Sequence, residues 1–160
     1  MIYIAYGSNI NLKQMAQRCP TAEKLTTGVI PNYELEFRSV ATIVPKENGN
    51  VPVLMWDIKP ADEKALDRYE GFPRLYRKEY FSFEYGGETH KAMAYVMNSG
   101  QICEPSQAYY NCILEGYKAV GLDTSHLENA LARSIEFGEQ NKQLSFTMEV
   151  CNCEVQRIFY

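Results

Sequence analysis

The chain has 160 residues (18.4 kDa), 46% of them hydrophobic and 22% charged, with a formal net charge of -4 and a pI near 5.3. That length suits one domain with a proper core, and the acidic balance offers no basic field for nucleic acid or an anionic membrane. No stretch approaches the roughly 20 apolar residues that span a bilayer, and Met1-Ile2-Tyr3 lacks the basic region of a leader, so the expected location is the cytoplasm.

The first predicted element is the stretch Ile2 to Asn9, IYIAYGSN, a short apolar β-prone run that enters Tyr6-Gly7-Ser8-Asn9. Asn11 then opens a segment with Leu12, Met15 and Ala16 at helical spacing, which ends at Cys19-Pro20 because proline disfavours helical geometry in the residue before it. Strand, tight turn and helix start follow one another. Gly7 can take dihedrals closed to other residues and lets a ligand approach the main chain, and successive N–H groups around such a turn can cradle an anionic oxygen. The plainer reading is an ordinary turn in which Ser8 and Asn9 cap the next helix.

Thr26 to Val44 is rich in β-formers and predicts two or three short strands, interrupted by Gly28 and Pro31-Asn32. Glu47-Asn48-Gly49-Asn50 predicts a turn, and Val51 to Ile58 a strand apolar on both faces around Trp56. Lys59-Pro60-Ala61-Asp62 starts a helix, since proline suits a first turn and Asp62 and Glu63 suit its positive end. That helix stops at Glu70-Gly71-Phe72-Pro73. Tyr76 to Tyr85 and Lys91 to Met97, joined through Gly86-Gly87, predict a hairpin.

From Pro105 the period becomes helical, with Tyr109, Ile113, Leu114 and Tyr117 on one stripe up to Gly121. Ser125 to Phe137 predicts a second helix, with Ser125 as cap, Glu128 in the capping-box position and Gly138 as terminator. Residues 1–137 are therefore expected to form the domain and residues 138–160 a C-terminal extension, open between an added strand over Leu144 to Val150 and a loosely packed tail. Phe159-Tyr160 and exposed tyrosines leave the oligomeric state open.

Among candidate chemical groups, Glu70 stands out. Tyr69, Gly71, Phe72 and Pro73 surround it with apolar neighbours that can desolvate it and raise its pKa toward the working range of a general acid/base; the plainer reading is a solvated helix-end glutamate. His90 and His126 stand without a ligand or triad pattern. Ser8 lacks both a Gly-x-Ser-x-Gly elbow and an evident histidine base. The five cysteines, Cys19, Cys103, Cys112, Cys151 and Cys153, fit neither a disulfide framework nor a zinc site, and are expected to be reduced, buried or inert.

Taken together, Tyr6-Gly7-Ser8-Asn9, Leu66-Asp67-Arg68-Tyr69-Glu70-Gly71, the strand Ala92 to Met97, and Pro105-Ser106 leading to Tyr109 and then Gly116 to Leu122 resemble the γ-glutamylcyclotransferase-like proteins over roughly Met1 to Leu122. The resemblance implies an α+β fold, a small β-barrel flanked by helices with a cavity at one end. It implies cyclisation of a γ-glutamyl amine or amino acid to 5-oxoproline with release of the amine, and needs neither metal nor cofactor. Carried onto this sequence, Tyr3, Ile4, Ala5, Tyr6, Gly7 and Ser8 would bind the γ-glutamyl group with Asn9 beside them, Tyr109 would contact substrate, and Glu70 would transfer the proton. The alternatives are a γ-glutamylamine cyclotransferase, a pathway-specific enzyme removing a γ-glutamyl group, and a non-catalytic module that binds a small anionic metabolite.

Overall fold

The computed structural model describes the backbone of residues 1–158 and the side chains of residues 1–144. Five strands form one sheet: β1 (Ile2–Ala5), β2 (Glu23–Arg38), β3 (Val40–Asp57), β4 (Tyr76–Tyr85) and β5 (Glu88–Met97), in the order β2-β3-β1-β5-β4. The helices are α1 (Leu12–Arg18), α2 (Pro60–Tyr69), α3 (Gln107–Val120) and α4 (Ser125–Ile158). The fold is α+β, as expected. Among the described residues no helix is long and apolar enough to cross a membrane.

The four residues of β1 occupy the middle of the sheet, antiparallel to β3 with Tyr3 opposite Trp56, and parallel to β5 with Tyr3 opposite Met93. A strand flanked on both sides and covered on both faces must be continuously apolar, which accounts for Ile2-Tyr3-Ile4-Ala5. The chain leaves the sheet after Ala5 but stays buried at Tyr6 and Ile10.

Thr26 to Val44 forms two long strands instead of two or three short ones, because only Ser39, at φ +65, separates β2 from β3. The turn expected at Glu47 to Asn50 is a bulge inside β3. Pairing steps from Pro31 opposite Asn50 to Tyr33 opposite Pro45, so Asn32 alone faces four residues of β3. Asn32 and Asn48 both have φ near +60, and the Asn48 N–H donates to Asn32 Oδ1 at 3.3 Å. The turn-forming chemistry is present, but it bends the strand without ending it.

Such bends curl the sheet until its two outer strands meet through side chains: Tyr33 of β2 stacks edge-on against Phe81 of β4 at 5.5 Å, and a Cβ on Gly28 would lie 2.3 Å from Phe83. β2 and β4 do not pair along their backbones, so the barrel is an open curled sheet. The β4–β5 hairpin is as expected, Gly86 and Gly87 both taking positive φ (63° and 82°) in a two-residue turn.

α1 begins where Asn11 Oδ1 accepts from the N–H groups of Lys13 and Gln14, both at 3.1 Å. α2 begins where Asp62 accepts from the Lys59 N–H at 2.9 Å. α3 ends at Gly121 in the left-handed conformation. Asp123 and Thr124 serve the start of α4 in place of Ser125: the Ser125 N–H donates to Asp123 Oδ1 at 2.9 Å, and Glu128 accepts from the Thr124 hydroxyl at 2.8 Å. α4 is anchored on β2 by Leu127 and Ala130, both buried, and by Arg133, which donates to the Leu35 carbonyl. Gly138 does not terminate it. The helix runs on to Ile158, so the segment Leu144 to Val150 is helical and not an added strand.

Candidate active site

At the C-terminal end of β1 the chain turns through Tyr6 and Gly7 into a 3₁₀ turn, Ser8–Ile10, closed by Ile10 N–H to Gly7 O at 3.0 Å and Asn11 N–H to Ser8 O at 3.1 Å. As at any helix start, the first N–H groups have no acceptor inside the turn. Gly7 has φ -110, outside the left-handed region, so a positive φ is not what calls for glycine. Space is: a Cβ there would sit 3.2 Å from Ala41 Cβ and 3.4 Å from the Tyr109 hydroxyl.

Beside this turn lies a cavity of about 240 Å³, lined by Tyr3, Tyr6, Gly7, Ser8 and Asn9 from the N-terminal segment, Val40 and Ala41 from β3, Tyr69, Glu70 and Leu75 around the end of α2, and Tyr76, Tyr95 and Tyr109. α2, ending at Tyr69, delivers Glu70 as its C-cap residue. Gly71, at φ +64, then turns the chain sharply away.

Glu70 is partly buried, and one carboxylate oxygen accepts from Asn9 Nδ2 at 2.8 Å. Burial pushes its pKa up to about 7, against the opposing pull of the Arg18 guanidinium and the Asn9 hydrogen bond. The second N–H of the Asn9 amide reaches the Tyr3 hydroxyl at 2.8 Å, its Oδ1 accepts from Arg18 at 2.8 Å, and its main-chain carbonyl accepts from Trp56 at 3.1 Å. Asn9 is thus spent on positioning. Arg18 lies with its guanidinium 3.6 Å from the centre of the Tyr69 ring.

Tyrosine hydroxyls make the rest of the wall. Tyr6 donates to the Tyr95 carbonyl in a short hydrogen bond, Tyr76 donates to the Ala41 carbonyl at 2.8 Å, the Ala41 N–H donates to the Tyr109 hydroxyl at 3.1 Å, and the Ser8 and Tyr69 hydroxyls lie 3.0 Å apart. Burial raises the pKa of Tyr3, Tyr6, Tyr76 and Tyr109. These phenols stay neutral near pH 7, so they present hydrogen-bonding groups and not bases to the cavity. Among the described residues lining the cavity, Glu70 alone is a carboxyl group, and burial pushes its pKa to about 7.

The structure therefore brings together Tyr3, Tyr6, Gly7, Ser8, Asn9, Glu70 and Tyr109. Ile4 and Ala5 do not line the cavity; they are buried in the sheet opposite Met55 and Leu54. Arg18, Tyr76 and Tyr95 were not foreseen as parts of the site, since nothing in their neighbourhoods marks them and their roles arise only from long-range packing. His90 faces the hairpin turn near Tyr85, and His126 lies by Asp123, both outside the cavity. Cys19 is buried while Cys103 is exposed, and Cys151 and Cys153 lie outside the described side chains. Among the described residues no group of three or more His, Cys, Asp or Glu is disposed to hold a metal.

A family model described as gamma-glutamyl cyclotransferase, AIG2-like, matches residues 3–117. A Mus musculus protein described as gamma-glutamylcyclotransferase is 24% identical over 165 residues, covering 92% of this chain and 85% of the mouse protein. Among solved structures, one of a gamma-glutamyl cyclotransferase superposes with a TM-score of 0.72 at 22% identity, covering 81% of this chain and 85% of that one. YkqA from Bacillus subtilis superposes with a TM-score of 0.69 at 19% identity, covering 84% of this chain and 54% of the other. The likeness to both structures is one of fold.

Proposed function

The chain belongs to the gamma-glutamyl cyclotransferase, AIG2-like family, and on that premise we propose that it converts a γ-glutamyl amine or γ-glutamyl amino acid to 5-oxoproline and free amine in the cytoplasm, with Glu70 as the proton-transfer group. The observation that carries this reading is the position of Glu70: among the described residues the one carboxyl group on a cavity otherwise walled by neutral hydroxyls, the Asn9 amide, apolar side chains and main chain, its pKa pushed up by burial to about 7.

In a γ-glutamyl compound the nucleophile is already attached. Glu70 as carboxylate takes a proton from the α-ammonium, the freed amine adds to the γ-carbonyl carbon, and the bond from that carbon to the departing nitrogen breaks as Glu70 returns the proton to it. The surplus proton on the ring nitrogen passes by the same carboxylate to the released amine, which departs as its ammonium. The ring nitrogen and the leaving amine account for every atom, and no water is consumed. Holding the chain folded for a five-membered closure is worth on the order of 7–11 kcal/mol in the best intramolecular cases, so a rigid cavity and one proton carrier are enough machinery. The N–H groups beginning the 3₁₀ turn at Ser8 are suited to a substrate carboxylate or to the developing oxyanion, and the Tyr109 hydroxyl to contact with the same group.

The test is an assay for 5-oxoproline with γ-glutamyl-alanine, γ-glutamyl-ε-lysine and glutathione. Turnover by the wild type is expected to fall about 10²–10⁴-fold in Glu70→Gln, the usual contribution of a general acid/base. Wild-type turnover in the variant would remove Glu70 from the mechanism. Ligands that bind without being consumed would favour a binding module instead.

A further inference from the structure

A second cavity of about 420 Å³ adjoins the first, and Val40, Leu75 and Tyr76 line both. Its chemistry is different. The first contains a carboxyl group and no cation in its lining, whereas the second is lined by Arg38 and Arg74 and by no carboxylate. Arg38 is half-buried and its Nε donates to Glu36 at 2.6 Å, which offsets much of its charge. Arg74 is exposed, and among the described residues its guanidinium makes no ion pair.

We propose that Arg74, backed by Arg38, forms a subsite for a carboxylate on the departing amine, so that the preferred substrates are γ-glutamyl amino acids or peptides over γ-glutamyl derivatives of simple monoamines. The inference rests on the cyclotransferase reading for the direction in which the substrate lies. With the glutamyl group held between Gly7 and Glu70, the remainder of the substrate passes Leu75, which is 64% exposed, and enters the second cavity. The segment that presents Arg74 is fixed. Its N–H donates to Gly71 O at 2.9 Å, its carbonyl accepts from Asn98 Nδ2 at 2.9 Å, and the Asn98 N–H donates to Leu75 O at 2.9 Å. A planar guanidinium on a pinned loop is a matched partner for a carboxylate.

The experiment compares γ-glutamyl-alanine with γ-glutamyl-ethylamide, which has the same leaving amine without its carboxylate. Binding is measured by calorimetry on the Glu70→Gln protein, so that neither compound is consumed, and 5-oxoproline release is followed on protein with Glu70 intact. The alanine compound is expected to bind at least about fivefold more tightly. Arg74→Gln in the same background should bring that ratio to about one, with Arg74→Lys retaining part of it. Equal affinities in the starting protein, a preference untouched by Arg74→Gln, or no binding of either compound would overturn the subsite. Carboxylate-selective binding without 5-oxoproline release would support the subsite and sink the cyclotransferase reading. Equal binding and release from both compounds would do the reverse.

Discussion

Asn9 joins the opening strand's turn to three other side chains: its amide donates to Tyr3 and Glu70 and accepts from Arg18. Arg18 therefore touches Glu70 chemistry twice, as a charge that lowers the carboxyl's pKa and as the group that orients Asn9. If the carboxylate form is the active one, kcat/KM should rise with pH through a limb near 7. In Arg18→Gln that limb should move to higher pH, with part of the lost rate returning above it. A limb that stays in place while the rate falls would show that Arg18 is structural alone. The same shift bears on stability. Between its ordinary value of 4.5 and about 7, Glu70 holds its proton in the native state and not in the unfolded one, so the native state loses stability as pH rises across that window. Glu70→Gln should then be more stable than the wild type at pH 8, on the order of 1–3 kcal/mol, and equal to it at pH 4. Urea titrations at the two pH values measure this, and an identical difference at both would mean that burial of the charge is not the cause.

The site is held by elements pressed close together, and one glycine decides how close. Gly116 lies in the middle of α3, where alanine is ordinarily better by roughly 1 kcal/mol. Here a Cβ would lie 2.8 Å from the Asn11 N and 2.9 Å from the Ile10 carbonyl carbon, main-chain atoms of the turn that carries Ser8 and Asn9. Backbone at the root of a 3₁₀ turn cannot step aside as a side-chain tip would, so the packing term wins over propensity. Gly116→Ala should therefore destabilise the fold, by roughly 1–3 kcal/mol as overpacking generally does. Because the strain falls on the turn, kcat should drop as well in protein that remains folded. Stabilisation with full activity would show that α3 has room to shift. Tyr117, next in the chain, is fully buried, which leaves the helix little room to roll.

At the scale of the whole molecule, what was legible in the sequence was what local chemistry decides. Gly86-Gly87 specifies its turn from its own dihedrals, Asn11 and Asp62 specify their caps, and the Tyr-Gly-Ser-Asn turn and Glu70 could be paired because each carries its own signal. What distant contacts decide was not legible. Asn48-Gly49 has the composition of a turn and becomes a bulge because β2 continues beside it, and Arg18 joins the site only because α1 folds back across Tyr69. Gly138 has the composition of a helix stop, yet α4 passes through it. That helix leads to a prediction about the chain's limits. Among the described residues, the α4 side chains that join the core or bond to β2 are Leu127, Ala130, Leu131 and Arg133, all within its first turns, and Leu144 is 62% exposed. A chain ending at residue 144 should therefore keep its fold, with a Tm within a few degrees of the full chain, and keep its kcat/KM, since among the described residues none beyond Tyr109 lines the cavity. A chain ending at residue 124 would uncover Leu127's seat on β2 and should lose several kcal/mol, on the order of two large-to-small core substitutions. Equal loss in both truncations would place essential packing in the far half of α4, and the boundary between domain and extension would move from residue 137 to the end of the helix.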